Sequence, residues 1–245
     1  MKGVHRIEPP NCLDNDNFRV RADKERLYGT KNPWNGFAEK TCVRNQLLKM
    51  FDWECAFCGK RLHPENTDTQ ADHFLPKEPF KFLSLCWENL ILLCGSCNNR
   101  KTNFFPKSLE GKTFVERFIE NAKIVPQGAE IFDKKQVLDN CVDRLIDPSF
   151  DDPSEHILFD PASRQFVSLN PKGKRMLEHI FNRARWFDER LKELSDEMKN
   201  AVENERQPEQ IRDILIKITG HSFFIWEFYK YWSEIKGKRC TQGAE

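Results

Sequence analysis

The sequence predicts an α+β protein that is mostly helical and has short strands at its centre. Two Cys-x-x-Cys pairs, which begin at Cys55 and Cys94, frame short runs that are typical of buried strands. Apolar residues recur at helical spacing before these pairs, from about 36 to 51, and after them, from about 172 to 203. The fold class therefore follows from a small strand-containing centre with helical segments on both sides.

Composition limits the classes of protein that the chain can form. With 245 residues, including 20 Phe and 6 Trp, it can bury a core as one large domain or two small ones. The net charge of +1 means that any nucleic-acid surface has to be local. No apolar run is long enough for a membrane span, and residues 1–10 lack the apolar region of a signal peptide. We therefore expect a cytoplasmic protein with no membrane partner.

The predicted domains follow in chain order. Residues 1–52 form an N-terminal segment, mostly loop up to about residue 35, and a helix that packs on the core. Residues 53–108 form the core, with strands near 69–75 and 90–93 and a helix that begins near Ser96. Residues 109–245 form a mainly helical C-terminal region with a short β-hairpin near 156–168. Its predicted helices cover about 109–121, 172–203, 208–218 and 221–235.

The paired cysteines predict a metal site. Cys55, Cys58, Cys94 and Cys97 can supply four thiolates to one tetrahedral Zn²⁺, whose shell would then be closed and structural. The alternatives are buried pairs without a ligand and a redox Cys-x-x-Cys protein, although a redox site has no need of a second pair. We interpret the five other cysteines as free, mostly buried thiols in a reducing compartment. These are Cys12, Cys42, Cys86, Cys141 and Cys240.

Three polar residues between and beside the cysteines predict a hydrolytic site with a divalent metal ion. Asp72 and His73 are adjacent, so on a strand their side chains point to opposite faces. Both could serve one site if the strand bends or if the metal lies at its edge. The oxygens of Asp72 and Asn98 suit Mg²⁺ or Mn²⁺, and the His73 imidazole can act as a general base on water. This set is suited to hydrolysis of a phosphodiester.

At these residues the chain resembles a known family. The pattern Cys-x-x-Cys, Asp72-His73-Phe-x-Pro, Asn89-Leu and Cys-x-x-Cys-Asn98-x-x-Lys101 is similar to HNH endonucleases with the ββα-metal fold. The resemblance implies that His73 is the general base and that Asp72 binds the catalytic metal. It also implies that Asn89 orients the histidine loop and that Asn98 completes the metal site. Asn99 beside it leaves the identity of that last ligand open.

Cations and more distant motifs extend the resemblance. Arg100 and Lys101 fall on the early turns of the core helix, where they are candidates for binding nucleic-acid phosphates; a solvated charge is the alternative for Lys101. The order of motifs from Trp53 to Arg190 also resembles the HNH nuclease subunit of Septu-type anti-phage systems, including retron-linked versions. This closer resemblance implies a role in defence and an ABC/SMC-like ATPase partner.

The predicted function is metal-dependent endonucleolytic cleavage of nucleic acid, with DNA favoured. RNA cleavage on the same site is an alternative, because one metal and one base do not distinguish the two sugars. A non-catalytic zinc module that docks on the ATPase or on nucleic acid is a second alternative. The simultaneous presence of Asp72, His73 and Asn98 argues against a scaffold alone.

Overall fold

The structure is a computed structural model that describes most of the core and much of the C-terminal region. Within these residues, no helix has both the length and the hydropathy that a membrane span requires. The predicted helices at 109–121 and 208–218 lie outside the described residues. Those described are 1, 3–14, 39–76, 86–102, 104, 144–181, 185–206 and 223–242.

The centre of the fold is an antiparallel hairpin between two helices. Strand β1 (Thr69–His73) pairs with β2 (Leu90–Cys94) in a register that runs from Thr69 opposite Cys94 to His73 opposite Leu90. Helix α1 (Glu39–Met50) and helix α2 (Gly95–Lys101) each contact both strands. All five residues of β2 are buried, which explains its unbroken apolar pattern. The predicted strands and helices of the core are confirmed.

The N-terminal segment lies across the connection that leads into β2. The guanidinium of Arg6 donates to the carbonyls of Trp87 and Leu90, at 2.7 and 2.9 Å. The Trp87 indole in turn donates to the carbonyl of Ile7, at 2.8 Å. A 3₁₀ turn over Asn11–Asp14 packs on α1. The segment is therefore tied to the core by hydrogen bonds to backbone carbonyls rather than by a strand.

One cysteine prediction is wrong. Cys12 and Cys42 are not free thiols but form a disulfide between the 3₁₀ turn and α1. Their Cα atoms are 6.6 Å apart, within the range that a disulfide spans. Cys86 is a buried thiol outside any disulfide, as predicted, and it donates to the Glu88 carboxylate at 3.0 Å. Cys141 and the side chain of Cys240 lie outside the described part of the structure.

The described part of the C-terminal region contains the predicted hairpin and three helices. Strand β3 (Ile157–Asp160) pairs with β4 (Gln165–Ser168), and helix α3 (Pro171–Met176) follows. A π-helical turn over Leu177–Phe181 continues α3. The prediction of one regular helix from 172 to 203 is therefore wrong in its first half. Helices α4 (Arg185–Glu203) and α5 (Phe223–Gln242) pack on each other.

Buried ion pairs hold the loop before β3. Burial alone would raise the pKa of Asp151, but hydrogen bonds from Arg144 and Lys172 outweigh it and lower the pKa to about 2. Arg144 Nη2 and Lys172 Nζ lie 2.6 and 2.9 Å from Asp151 Oδ1. Asp152 accepts from the backbone N–H of Ser154 at 2.9 Å. The acidic residues here act in turns and ion pairs.

Gly173 allows α3 to approach the hairpin closely. A Cβ added at this position would lie 1.9 Å from the His156 carbonyl oxygen, so α3 and the backbone at His156 would have to move apart. We expect Gly173→Ala to lower the free energy of unfolding by about 1–3 kcal/mol, despite the better helix propensity of alanine. Chemical denaturation measures this change. Gly237→Ala in α5 is the control, because its Cβ would meet no atom within 4 Å and should stabilise slightly. Equal changes in the free energy of unfolding of the two variants would contradict the close approach of α3 to the hairpin.

Candidate metal centre and active site

The four predicted zinc ligands form one buried cluster. One sulfur from each of Cys55, Cys58, Cys94 and Cys97 lies within 4.8 Å of the other three. A tetrahedral zinc ion with bonds of about 2.3 Å holds its sulfurs about 3.8 Å apart. The Cys58 and Cys94 sulfurs are 3.8 Å apart. The donor set and its spacing therefore fit a structural zinc ion with a closed shell.

Backbone geometry builds the two knuckles. The N–H of Gly59 donates to the Cys55 carbonyl at 2.9 Å, and Gly59 has a φ of 72°, which glycine adopts without strain. In the second knuckle the Cys97 N–H donates to the Cys94 sulfur at 3.4 Å. Asp68 fixes the adjacent turn, because its carboxylate accepts from the Gly95 N–H at 2.8 Å. Each turn thus directs the two sulfurs of its cysteine pair toward the same point.

The four thiols can be ionised together only beside a cation, because hydrogen bonds among them lower the pKa of Cys55, despite its burial, but raise the pKa of two others. Hydrogen bonding with the Cys55 thiol raises the pKa of both Cys58 and Cys97 well above the ordinary thiol value, and burial adds to the rise. Four thiolates cannot share this buried volume unless a positive ion neutralises them. Metal binding and folding of this region are therefore expected to be linked.

A second group of polar side chains lies between β1 and α2. The Lys101 ammonium is 2.7 Å from Asp72 Oδ2. The Asn98 amide nitrogen donates to Gln70 Oε1 at 2.6 Å. Gln70 and Asp72 are two residues apart on β1 and share one face, and Asn98 and Lys101 are three apart on α2 and face it. The structure thus places the two predicted ligands of the catalytic metal on facing elements, each paired with a different residue.

The orientation of Asn98 favours it over its neighbour as a ligand. Because its nitrogen is bonded to Gln70, its oxygen is the atom left for a cation, and an amide oxygen is a ligand that Mg²⁺ and Mn²⁺ accept. The Asp72 side chain is 24% exposed, so a cation can reach its carboxylate. Asn99 is exposed on the helix surface. The donor set therefore fits a hard divalent ion at Asp72 and Asn98.

His73 is the last residue of β1. It is buried, with 6% of its surface exposed, and it pairs in register with Leu90. Strand alternation assigns Asp72 to the face that meets α2 and His73 to the other face. Because the strand ends at His73, both side chains stand at the same edge of the hairpin. A shared site therefore has to lie at this edge rather than on either face.

Asn89 fixes the chain immediately after His73. Its side-chain oxygen accepts from the Leu75 N–H at 2.8 Å, and its nitrogen donates to the Leu75 carbonyl at 3.1 Å. Its own carbonyl accepts from the Phe74 N–H at 2.7 Å. Asn89 is fully buried, so these bonds are shielded from water. This geometry is that of a residue that orients the loop next to His73.

The two cations of α2 make structural contacts. Arg100 donates to the Ile180 carbonyl in the π-helical turn, at 2.9 Å. Lys101 is 1% exposed and is directed at Asp72 rather than at solvent. Binding of phosphate by these residues stays a prediction.

Sequence reasoning missed two residues of this region. Gln70 positions Asn98, but no spacing rule marks a glutamine in a strand as a partner of an asparagine on a following helix. His179 stacks on Phe104 with ring centroids 4.6 Å apart, and its Nε2 lies 3.4 Å from the Lys101 carbonyl oxygen. The apolar periodicity from about 172 to 203 predicts a helix here but does not single out His179.

Comparison with known proteins gives a consistent result. Residues 55–104 match the HNH endonuclease family. A Septu protein PtuB from Bacillus mycoides (strain KBAB4) is 27% identical over 209 residues, which cover 76% of this chain and 63% of the relative. A Septu protein PtuB from Bacillus thuringiensis is 31% identical over 101 residues, or 41% of this chain and 37% of the relative.

The chain thus spans less than two thirds of the length of either curated relative. No solved structure matches it. The matched range of 50 residues nevertheless runs from the first cysteine of the cluster to just past α2, so it contains both groups of polar side chains described above. Residues 55–104 are therefore an HNH endonuclease domain, in a chain that is homologous to Septu proteins PtuB.

Proposed function

We propose that this protein is a metal-dependent endonuclease that hydrolyses phosphodiester bonds, with DNA as the favoured substrate. The observation that carries the proposal is the pairing of Gln70 with Asn98 and of Asp72 with Lys101, beside a His73 whose loop Asn89 fixes. A scaffold has no use for a carboxylate and an imidazole at the end of a strand whose one face also meets an amide on α2. The match of residues 55–104 to HNH endonucleases supports the same chemistry.

The mechanism assigns one task to each side chain. A divalent ion held by Asp72 and Asn98 would stabilise the charge that develops on the phosphate and on the leaving oxygen. The His73 imidazole takes a proton from the attacking water. Asn89 holds the backbone of Leu75 and thereby fixes the direction of the chain that follows His73. Gln70 binds the amide nitrogen of Asn98 and so leaves its oxygen for the ion.

We further infer a place in anti-phage defence. Both curated relatives are named Septu proteins, and they suggest that this chain works within a Septu system. The resemblance to the nuclease subunit of such systems implies an ABC/SMC-like ATPase as partner. The net charge of +1 is consistent with weak intrinsic binding of nucleic acid, so we expect the ATPase to strengthen this binding or to control cleavage.

A cleavage assay tests the proposal. The purified chain, alone and with the ATPase encoded beside it, is incubated with plasmid DNA and separately with total RNA. Mg²⁺ or Mn²⁺ is either present or removed with a chelator that leaves the buried zinc in place. We expect cleavage of DNA that requires the added ion and increases with the ATPase. Cleavage of RNA alone would select the RNA alternative, and strong cleavage without the ATPase at physiological salt would contradict its role.

An Asp72 variant links the assay to the site. Asp72→Asn removes the charge of the ligand but retains its size, and the expected loss of cleavage is at least about 100-fold. Asp68→Asn is the matched control, because Asp68 is a carboxylate of the same domain that accepts from Gly95 and Lys60 instead. Equal activity of Asp72→Asn and wild type, at equal zinc content, would contradict the assignment of the metal site.

A further inference from the structure

Lys101 is buried, unlike Lys60, the other lysine that the structure describes in the domain. Lysine side chains are almost always partly solvated, yet the side chain of Lys101 is 2% exposed. Its ammonium lies 2.7 Å from Asp72 Oδ2, the carboxylate that the proposed function assigns to the catalytic ion. A positive group is therefore built into the position next to the only charged ligand in that site among the described residues.

The surroundings of Lys101 hold it there. Its carbonyl accepts from the Phe104 N–H at 2.9 Å and lies 3.4 Å from His179 Nε2. The Thr102 N–H caps the helix on the Asn98 carbonyl at 2.9 Å. Arg100 anchors the same turn to the Ile180 carbonyl. Because the backbone on both sides is tied down and the side chain is buried, the ammonium is held against the Asp72 carboxylate.

This placement changes the charge that a divalent ion meets. Asp72 carries one negative charge, Lys101 one positive charge, and Asn98 is neutral, so the group is neutral overall. Magnesium sites in proteins usually combine one or two carboxylates with the phosphates of the substrate. A neutral group attracts a divalent ion weakly, whereas a phosphodiester beside it would add negative charge and oxygen ligands.

We propose that Lys101 is a positioning residue that makes binding of the divalent ion conditional on the nucleic acid. It holds Oδ2 of Asp72, leaves the other oxygen for the ion, and keeps the affinity of the free protein for the ion low. The phosphodiester then brings the charge that the site lacks. This inference rests on the proposed function, because it takes Asp72 and Asn98 as the ligands.

The test measures binding of the ion rather than cleavage. Binding of Mn²⁺ is followed by electron paramagnetic resonance, without DNA and with a short DNA duplex at a concentration that saturates the chain, in a His73→Ala background so that the duplex is not cleaved. We expect the duplex to tighten Mn²⁺ binding at least ten-fold in the chain with Lys101. In Lys101→Met, which has a similar volume, we expect Mn²⁺ to bind at least ten-fold more tightly without DNA, and the effect of the duplex to shrink.

Lys60→Met provides the matched control. Lys60 also pairs with an aspartate, at 2.6 Å from Asp68 Oδ2, but its side chain is 39% exposed and it lies beside the zinc knuckle. It should leave Mn²⁺ binding unchanged if location rather than total charge matters. Zinc content and thermal unfolding show whether each variant is folded. If Lys101→Met does not fold, the titrations of the parent chain still decide, because tight binding without DNA overturns the proposal.

The outcomes for the two proposals are separable. Unchanged or weaker Mn²⁺ binding in a folded Lys101→Met variant would overturn the role of Lys101 even if the wild type cleaves DNA. A wild type that never cleaves, together with a Lys101→Met variant that binds Mn²⁺ more tightly, would overturn the proposed function but keep the role of Lys101 at the cation site.

Discussion

His73→Ala is expected to reduce metal-dependent cleavage by at least about 100-fold and to leave zinc content and fold intact. The physical reason is that the variant retains the proposed ligands of the divalent ion but removes the group that accepts a proton from water. His73 is the last residue of β1 and does not belong to the zinc cluster. Initial rates of plasmid cleavage and zinc content measure the two halves of the prediction.

Burial of His73 calls for a second variant. Since only 6% of His73 is exposed, alanine leaves a cavity that could loosen the edge of the hairpin. His73→Asn fills more of this space and retains polar atoms, yet it cannot take up a proton near neutral pH, so it should be equally inactive. His63→Ala is the control, because His63 is an exposed histidine of the same domain. Normal cleavage by either His73 variant would contradict its assignment as the base.

The sequence was sufficient for the centre of the fold because its signals there are local. A Cys-x-x-Cys spacing predicts a knuckle, and the apolar run from Leu90 predicts a strand that is covered on both faces. Helix α1 and the β3–β4 hairpin follow from periodicity and turn residues in the same way. Each of these features depends on residues a few positions apart, which is the range over which a pattern is informative.

Other features depend on contacts between distant residues. Cys12 and Cys42 are 30 positions apart, and no spacing distinguishes a disulfide pair from two free thiols over that distance. Lys101 could be placed on a helix from the sequence, but its burial follows from packing of α2 on β1 and on the π-helical turn. The pairs that organise the candidate site, Gln70 with Asn98 and Asp72 with Lys101, are visible only in the structure.

The π-helical turn shows a limit of periodicity. The apolar positions from Leu177 to Met198 recur every three or four residues, so they fit a single regular helix and do not reveal the π-helical turn over Leu177–Phe181. Yet this turn supplies the carbonyl that anchors Arg100 and the ring that contacts the Lys101 backbone. Residues far along the chain therefore support the candidate site, although the sequence pattern assigns them to a separate helical region.

Cys58→Ser is expected to abolish zinc binding and to unfold the region around the cluster. Cys58 is 1% exposed, and its sulfur lies 3.8 Å from that of Cys94. A serine hydroxyl is a much poorer zinc ligand than a thiolate, because it stays protonated at neutral pH. Structural zinc contributes about 10–16 kcal/mol to folding of small zinc-binding peptides, comparable to the whole stability of an ordinary domain of about 5–15 kcal/mol. Metal analysis of the purified variant and its thermal unfolding curve measure the loss.

Cys86→Ser separates loss of the metal from loss of a buried sulfur. Cys86 is also 1% exposed and belongs to the same domain, but its thiol donates to Glu88, and burial raises its pKa to about 12. A serine hydroxyl can make the same hydrogen bond, so this variant should retain full zinc content and lose only about 1–2 kcal/mol of stability. Zinc-replete Cys58→Ser protein with wild-type unfolding would show that the cluster is not the structural support of the domain. Loss of zinc from Cys58→Ser alone, with the core unfolded, would establish that the closed thiolate shell holds the edge at which His73 and Asp72 meet.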